Sequence, residues 1–229
     1  FGSAVSSRMV KFWTAAILAS LFVLLGAILE GRAGIETLQS LTGLTLKMAV
    51  VSSVATWFAA FAESFVDNGE LALSSARWID ANPLGTAAGF GVNLPLDRAY
   101  ATSELGFSRI QLNPIYAQNS RGKFELQALT AVAQALLDVR RYAWDLSLFT
   151  TAEFGFVSLP DAFTTGSSIM PNKRNPDLVE LLRASYPTVQ GAMTELQSLL
   201  SLPSGYHRDL QNTKGPLIRA LVHGLDAMA

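Results

Sequence analysis

Residues 166–177, GSSIMPNKRNPD, gather two serines, a lysine, an arginine and two asparagines in a chain that is otherwise oily. Their types and order suit one kind of chemistry. Gly166 gives backbone freedom to a loop that must move. Lys173 and the first N–H groups of a helix starting at Asn175-Pro176 make a positive pocket suited to a carboxylate. A serine facing that pocket has its ionised form stabilised, as a proton-abstracting hydroxyl requires. Glu180, one turn into the helix, stands where a carboxylate orients a neighbouring base. An anion site, a deprotonatable hydroxyl and a movable loop together point to removal of a proton next to a carboxylate. The competing reading of the same residues is a polar surface loop followed by a capped helix.

The elements that must position this stretch read as helices. Residues 7–30 and about 47–80 carry long helical patterns, separated by a break over 31–43 with Gly31, Gly34 and Gly43. Asn82-Pro83-Leu84-Gly85 ends the second helix. Residues 83–124 form the longest irregular region, rich in Gly and Pro but too apolar for disorder. From 125 to about 152, Leu129, Val132, Leu136, Val139, Ala143 and Leu146 recur at steps of three and four, the seam of an antiparallel helical bundle or a coiled coil. Asn175 as N-cap and Pro176 at the first helical position start another helix, which Pro187 is expected to kink or break. Pro203-Ser204-Gly205 interrupts before a last helical segment. No strand-like alternation outlasts four residues, so the class is all-α, built of long helices.

Composition narrows the function classes. Charged residues are 15% of the chain, apolar residues 50%, and the net charge is −1. No basic field therefore invites nucleic acid or anionic lipid. The absence of cysteine removes disulfides and thiolate metal sites and fits a reducing, cytoplasmic setting. Two histidines, His207 and His223, leave little for a histidine-based metal site. Residues 12–29 run 18 positions without a charge, the lower limit for a membrane span. Close bracketing by Lys11 and Glu30, and many small residues, favour instead a helix packed on all sides within a protein core. No membrane association is expected. The first residue is Phe1 and no signal peptide follows, so further sequence at the ends is expected.

The stretch GSSIMPNKRNP resembles the GSSxMPxKxNP signature of the fumarase/aspartase superfamily, whose members eliminate fumarate from succinyl compounds. NPLGTAAGFGVNLPLDR (82–98), ELGF (104–107), NPIYAQNSRGKFE (113–125) and LPSGYHRDLQNTK (202–214) are similar to the argininosuccinate-cleaving branch of that family. The resemblance runs from about residue 50 to the end. It implies that residues 1–229 are one central helical domain of the family's long-helix bundle, lacking the flanking domains. The implied activity is β-elimination across a C–N bond, with argininosuccinate as substrate and adenylosuccinate or aspartate as the alternatives. A non-catalytic relative of the fold is the other reading.

Carried over by motif position, Ser167 exchanges a proton with the succinyl carbon, while Lys173 and Asn175 stabilise the aci-carboxylate formed when that proton leaves. Glu180 tunes a catalytic histidine in the family. Tyr206, Gln211 and Lys214 hold the amino-acid end and carboxylates of the substrate, and Thr45, Ser168, Arg8 and Arg121 complete the implied substrate-binding set. No metal or organic cofactor is implied. The resemblance also implies a homotetramer whose sites combine segments of three subunits. Two departures stand out. Leu46 occupies the place of the family's acid/base histidine, and Ser7-Arg8-Met9-Val10 lacks the asparagine of the upstream substrate loop.

Overall fold

A computed structural model describes residues 35–229, and side-chain surroundings from residue 43 onward apart from residue 50. The expected helix over 7–30, the glycines at 31 and 34, and Arg8 lie outside the described residues. In chain order the α-helices are α1 (Ile35–Ile79), α2 (Arg98–Glu104), α3 (Pro114–Asn119), α4 (Lys123–Phe149), α5 (Asp177–Leu199) and α6 (Lys214–Asp226). Two 3-10 segments, Asp161–Phe163 and Arg208–Thr213, lie between them. Among the described residues no strand forms, and only two isolated bridges occur, Asn82 with Ile110 and Thr165 with Asn175. The fold is all-α.

The chain divides into two compact units between Ala60 and Phe61. In the first, the described residues belong to α1. Ser52, Ser53 and Thr56 turn their hydroxyls back onto carbonyls three or four positions earlier, at 2.8–2.9 Å. Leu44, Leu46, Met48, Val51 and Phe58 are exposed there. By length and composition alone, Gly43–Ile79 is long and apolar enough to cross a membrane. α1 starts well before residue 47, and Gly43 lies inside it rather than ending a break. A single glycine costs a helix only about 1 kcal/mol relative to alanine, too little to stop one of 45 residues.

The second unit is built on the antiparallel pairing of α4 with α5. Leu129, Ala133 and Leu136 of α4 share one core with Val189 and Leu196 of α5 and Ala220 of α6. Contacts climb in step along the pair. Gly122 abuts Leu200, where a Cβ on the glycine would stand 2.2 Å from Leu200 Cδ2. Further on, Arg140 lies over the Tyr186 ring and Arg183 over the Trp144 ring, at 5.8 and 4.4 Å. The N-terminal end of α4 therefore meets the C-terminal end of α5. α6 runs alongside, with Thr213 Oγ1 donating to Glu125 Oε1 at 3.5 Å near its start. Gly224 packs near its end so closely that a Cβ would meet Val132 Cγ1 at 2.4 Å. The seam from Leu129 to Leu146 is confirmed, with Leu129, Leu136 and Ala143 fully buried.

From residue 61 on, α1 also runs antiparallel to α4. Phe61 stacks edge-on with Tyr142, and Trp78 with Phe124, at centroid distances of 5.2 and 4.8 Å. Between them, Ser64 and Asn68 donate to the Asp138 carboxylate, the amide at 2.8 Å. Gln127 donates to Ser75 Oγ at 2.8 Å. These polar contacts fix the register where apolar packing alone permits sliding.

Two sequence expectations are corrected. Residues 83–124 are not irregular throughout, for α2 and α3 form there, capped by the side chains of Asp97 and Asn113. Pro187 does not break α5, which continues to Leu199. Proline removes one N–H from the ladder, and burial of Ser185 and Val189 on either side holds the helix together.

Candidate active site

Bridge Thr165–Asn175 closes the GSSIMPNKR loop at its base. The Thr165 N–H donates to Asn175 O at 3.0 Å, and the Asn175 N–H to Thr165 O at 2.9 Å. Outside the bridge, the Thr165 hydroxyl donates to the Asp177 carboxylate and Arg174 pairs with Asp161. The Oγ of the half-buried Ser167 accepts the N–H groups of Ile169 and Met170, two and three residues on in the loop, at 3.2 and 3.3 Å. Two donors converging on one hydroxyl oxygen favour its anion over its neutral form. A turn follows, with the Lys173 N–H donating to Met170 O at 3.0 Å and Pro171 within it. Ser168 and Lys173 are exposed, Asn175 is half-buried, and the exposed Glu180 pairs with Arg183 at 3.4 Å.

The start of α5 differs from expectation. The helix begins at Asp177 with Pro176 at its N-cap and no side-chain cap, because Asn175 is held in the bridge. Its first turn carries two carboxylates, Asp177 and Glu180. They complement the helix dipole themselves, so the positive pocket ascribed to the helix start is offset by its own acidic residues.

The other candidates gather elsewhere. Gly205 adopts φ +102° and donates its N–H to Asn119 Oδ1 at 2.7 Å, which sets the turn before Tyr206. The Arg121 guanidinium lies 5.7 Å from the centre of the half-exposed Tyr206 ring. Both line a cavity of about 880 Å³ together with residues 83–88, Ala117 and Gln118. A second cavity, about 250 Å³, shares Gln118 and Arg121 and includes His207, whose Nε2 is buried without a hydrogen-bond partner. Lys214 Nζ donates to Gln211 Oε1 at 3.0 Å. Thr45 is exposed on α1 in the first unit.

Within the second unit, then, the structure makes two groups of the predicted residues. Ser167, Ser168, Lys173, Asn175 and Glu180 sit where α5 begins and α4 ends. Arg121, Tyr206, Gln211 and Lys214 sit where α4 begins and α5 ends. α4 has 27 residues, which at 1.5 Å per residue is about 40 Å of helix. The two groups do not meet within one copy of the chain.

Sequence reasoning passed over the supports of the larger cavity. Asn82 is fully buried and donates to Thr102 Oγ1 at 2.9 Å, while its Oδ1 accepts the Leu84 N–H at 2.9 Å. Gln118 Nε2 donates to Ala87 O at 2.9 Å. The available signal was polar residues flanked by glycine turns and short capped helices, where burial of a polar side chain demands a partner.

A family profile described as Lyase matches residues 29–191, including the whole GSSIMPNKR loop. The chain belongs to the lyase family. Relatives include the argininosuccinate lyases of Xylella fastidiosa strain 9a5c and of Stenotrophomonas maltophilia strain R551-3, each 60% identical over 198 residues. That of Xanthomonas campestris pv. campestris strain B100 is 59% identical over the same length. Each match covers 86% of this chain but only 44–46% of the relative. The chain thus spans less than half the length of these relatives. Among solved structures, EDDS lyase in complex with formate matches 75% of this chain and 35% of its own, with a TM-score of 0.69 and 26% identity. An EDDS lyase variant with bound fumarate shares the fold, with a TM-score of 0.62 at 24% identity. The resemblance to the fumarase/aspartase superfamily, and to argininosuccinate lyases within it, holds.

Proposed function

We propose that this lyase cleaves the C–N bond of argininosuccinate by β-elimination, giving arginine and fumarate. Identity near 60% to argininosuccinate lyases carries the choice of substrate. The hydroxyl of Ser167, held against two backbone N–H groups, carries the choice of base. Ionised Ser167 takes a proton from the succinyl carbon next to a carboxylate. Charge then collects on that carboxylate as its aci form, which Lys173 and Asn175 stabilise. Its collapse forms the C=C bond of fumarate and expels the guanidino nitrogen, which takes up a proton to give arginine. Tyr206, Gln211 and Lys214, with Arg121, hold the amino-acid end of the substrate, Tyr206 and Arg121 from the wall of the larger cavity. Thr45, Ser168 and Arg8 belong to the same substrate-binding set.

The two groups lie about 40 Å apart along α4, so the working site is composite, with segments from different copies of a homotetramer. Residues 1–229 would form the central helical part of that assembly, in the cytoplasm. A specific observation favours a second reading, a non-catalytic relative. Leu46 stands where the family's histidine is expected, and it is exposed on α1.

Incubation with argininosuccinate, adenylosuccinate and aspartate in separate assays, followed by fumarate release, tests the reaction. Fumarate from argininosuccinate alone is expected. Preference for adenylosuccinate overturns the substrate and keeps the lyase chemistry, whereas no fumarate from any of the three favours the non-catalytic relative.

A further inference from the structure

We propose that Arg98 is a positioning residue that fixes residues 83–88 as a wall of the Tyr206–Arg121 cavity and thereby sets the affinity for substrate. The inference rests on the reading of that cavity as the substrate's amino-acid end. Arg98 opens α2 and does not line the cavity. Its Nε donates to Leu84 O at 2.7 Å, and its Nη2 to Gln111 O at 2.7 Å and to Asn82 O at 3.5 Å. One planar guanidinium thus ties together two backbone segments that also form the Asn82–Ile110 bridge.

Gly85 shows how close the clamp lies. Its φ is +85°, and a Cβ there would stand 3.1 Å from Arg98 Cδ, so the arginine stem rests against the loop backbone. On the other side Gln118, which does line the cavity, holds the loop by Ala87 O at 2.9 Å. The loop is gripped from both faces, by a charged side chain behind and an amide in front. Arg98 also occupies the carbonyl oxygen of Leu84, a cavity-lining residue. Released, that oxygen is a partial negative charge at the wall of a cavity that takes a carboxylate-bearing ligand. A lysine ammonium lacks the planar fork that serves Leu84 and Gln111 at once.

The test compares Arg98→Gln and Arg98→Lys in the full chain by steady-state fumarate release from argininosuccinate, with hydrogen exchange of the 84–91 amides alongside. Arg98→Gln is expected to raise KM about tenfold or more with kcat within about threefold. Arg98→Lys should give a smaller rise, and exchange in 84–91 should quicken in both. Should Arg98→Gln fail to fold, Gly85→Ala keeps the arginine but pushes it off the loop, and the same rise in KM is expected. An active wild type whose KM is unmoved by these changes, or in which kcat alone falls, overturns the positioning role. A wild type inactive on every succinyl compound overturns the proposed function and this inference with it.

Discussion

A serine acts as a base at neutral pH only where its surroundings stabilise the anion, and on the proposed reading the N–H groups of Ile169 and Met170 on Ser167 Oγ contribute to that. Ser167→Ala removes the proton acceptor while leaving the Thr165–Asn175 bridge intact. It is expected to lower kcat at least about a hundredfold, the low end for general acid–base catalysis, with an unchanged circular dichroism spectrum. Near-normal turnover would exclude Ser167 as the base. Lys214→Ala removes the cation paired with Gln211, and is expected to raise KM for argininosuccinate with little change in kcat. A fall in kcat at constant KM would place Lys214 in the chemical step instead. The closed loop at 166–174 was legible in the sequence because its residues are local, with glycine, serines, proline and cations all within twelve positions. The Arg98 clamp was not. It depends on carbonyls at 82, 84 and 111 that only the folded backbone brings together.

At the scale of elements, the helix pair α4–α5 carries the second unit, and its energetics reside in a few fully buried side chains. Leu136 has no exposed surface and touches the position of Gly224 on α6 as well as the shared core. Leu136→Ala is expected to cost about 2–5 kcal/mol by lost burial and cavity formation. A urea unfolding curve measured at fixed protein concentration checks this, and a loss below about 1 kcal/mol would mean that the core is not centred there. The three-four stripe made α4 readable because a long periodic run outweighs local noise. Helix ends were harder to read. Gly43 and Pro187 read as breaks in the sequence, yet each carries a local penalty that neighbouring packing or helix length exceeds. The short helices α2 and α3 did announce themselves, through Asp97-Arg98 and Asn113-Pro114, but a six- or seven-residue helix leaves no periodicity to detect.

For the whole molecule, the surface of the second unit argues for assembly. Leu181, Ile218, Val222 and Leu225 are all more than half exposed on α5 and α6, and large apolar surfaces of this kind mark association sites. Sedimentation equilibrium at micromolar concentration is expected to give about four chains per particle. A folded, monodisperse monomer would remove both the tetramer and the composite site. Mixing offers an independent check. Ser167→Ala and Lys214→Ala protein, unfolded together in equal amounts, refolded and assayed at substrate well below the raised KM of Lys214→Ala, is expected to recover about a quarter of wild-type sites, since each site then draws its two groups from independent copies. No recovery would show that both groups come from the same copy.

The bridge between Thr165 and Asn175 has a consequence for protein engineering. Because the loop leaves and re-enters the scaffold through one pair of hydrogen-bonded residues, residues 166–174 amount to a cassette with fixed sockets. The helices on either side end before it and begin after it. Replacing the nine residues with a neutral glycine-serine segment of equal length should therefore silence the reaction while leaving the melting temperature nearly unmoved. Grafting the corresponding nine residues from another lyase becomes a practical way to ask how much of reaction choice resides in that segment alone.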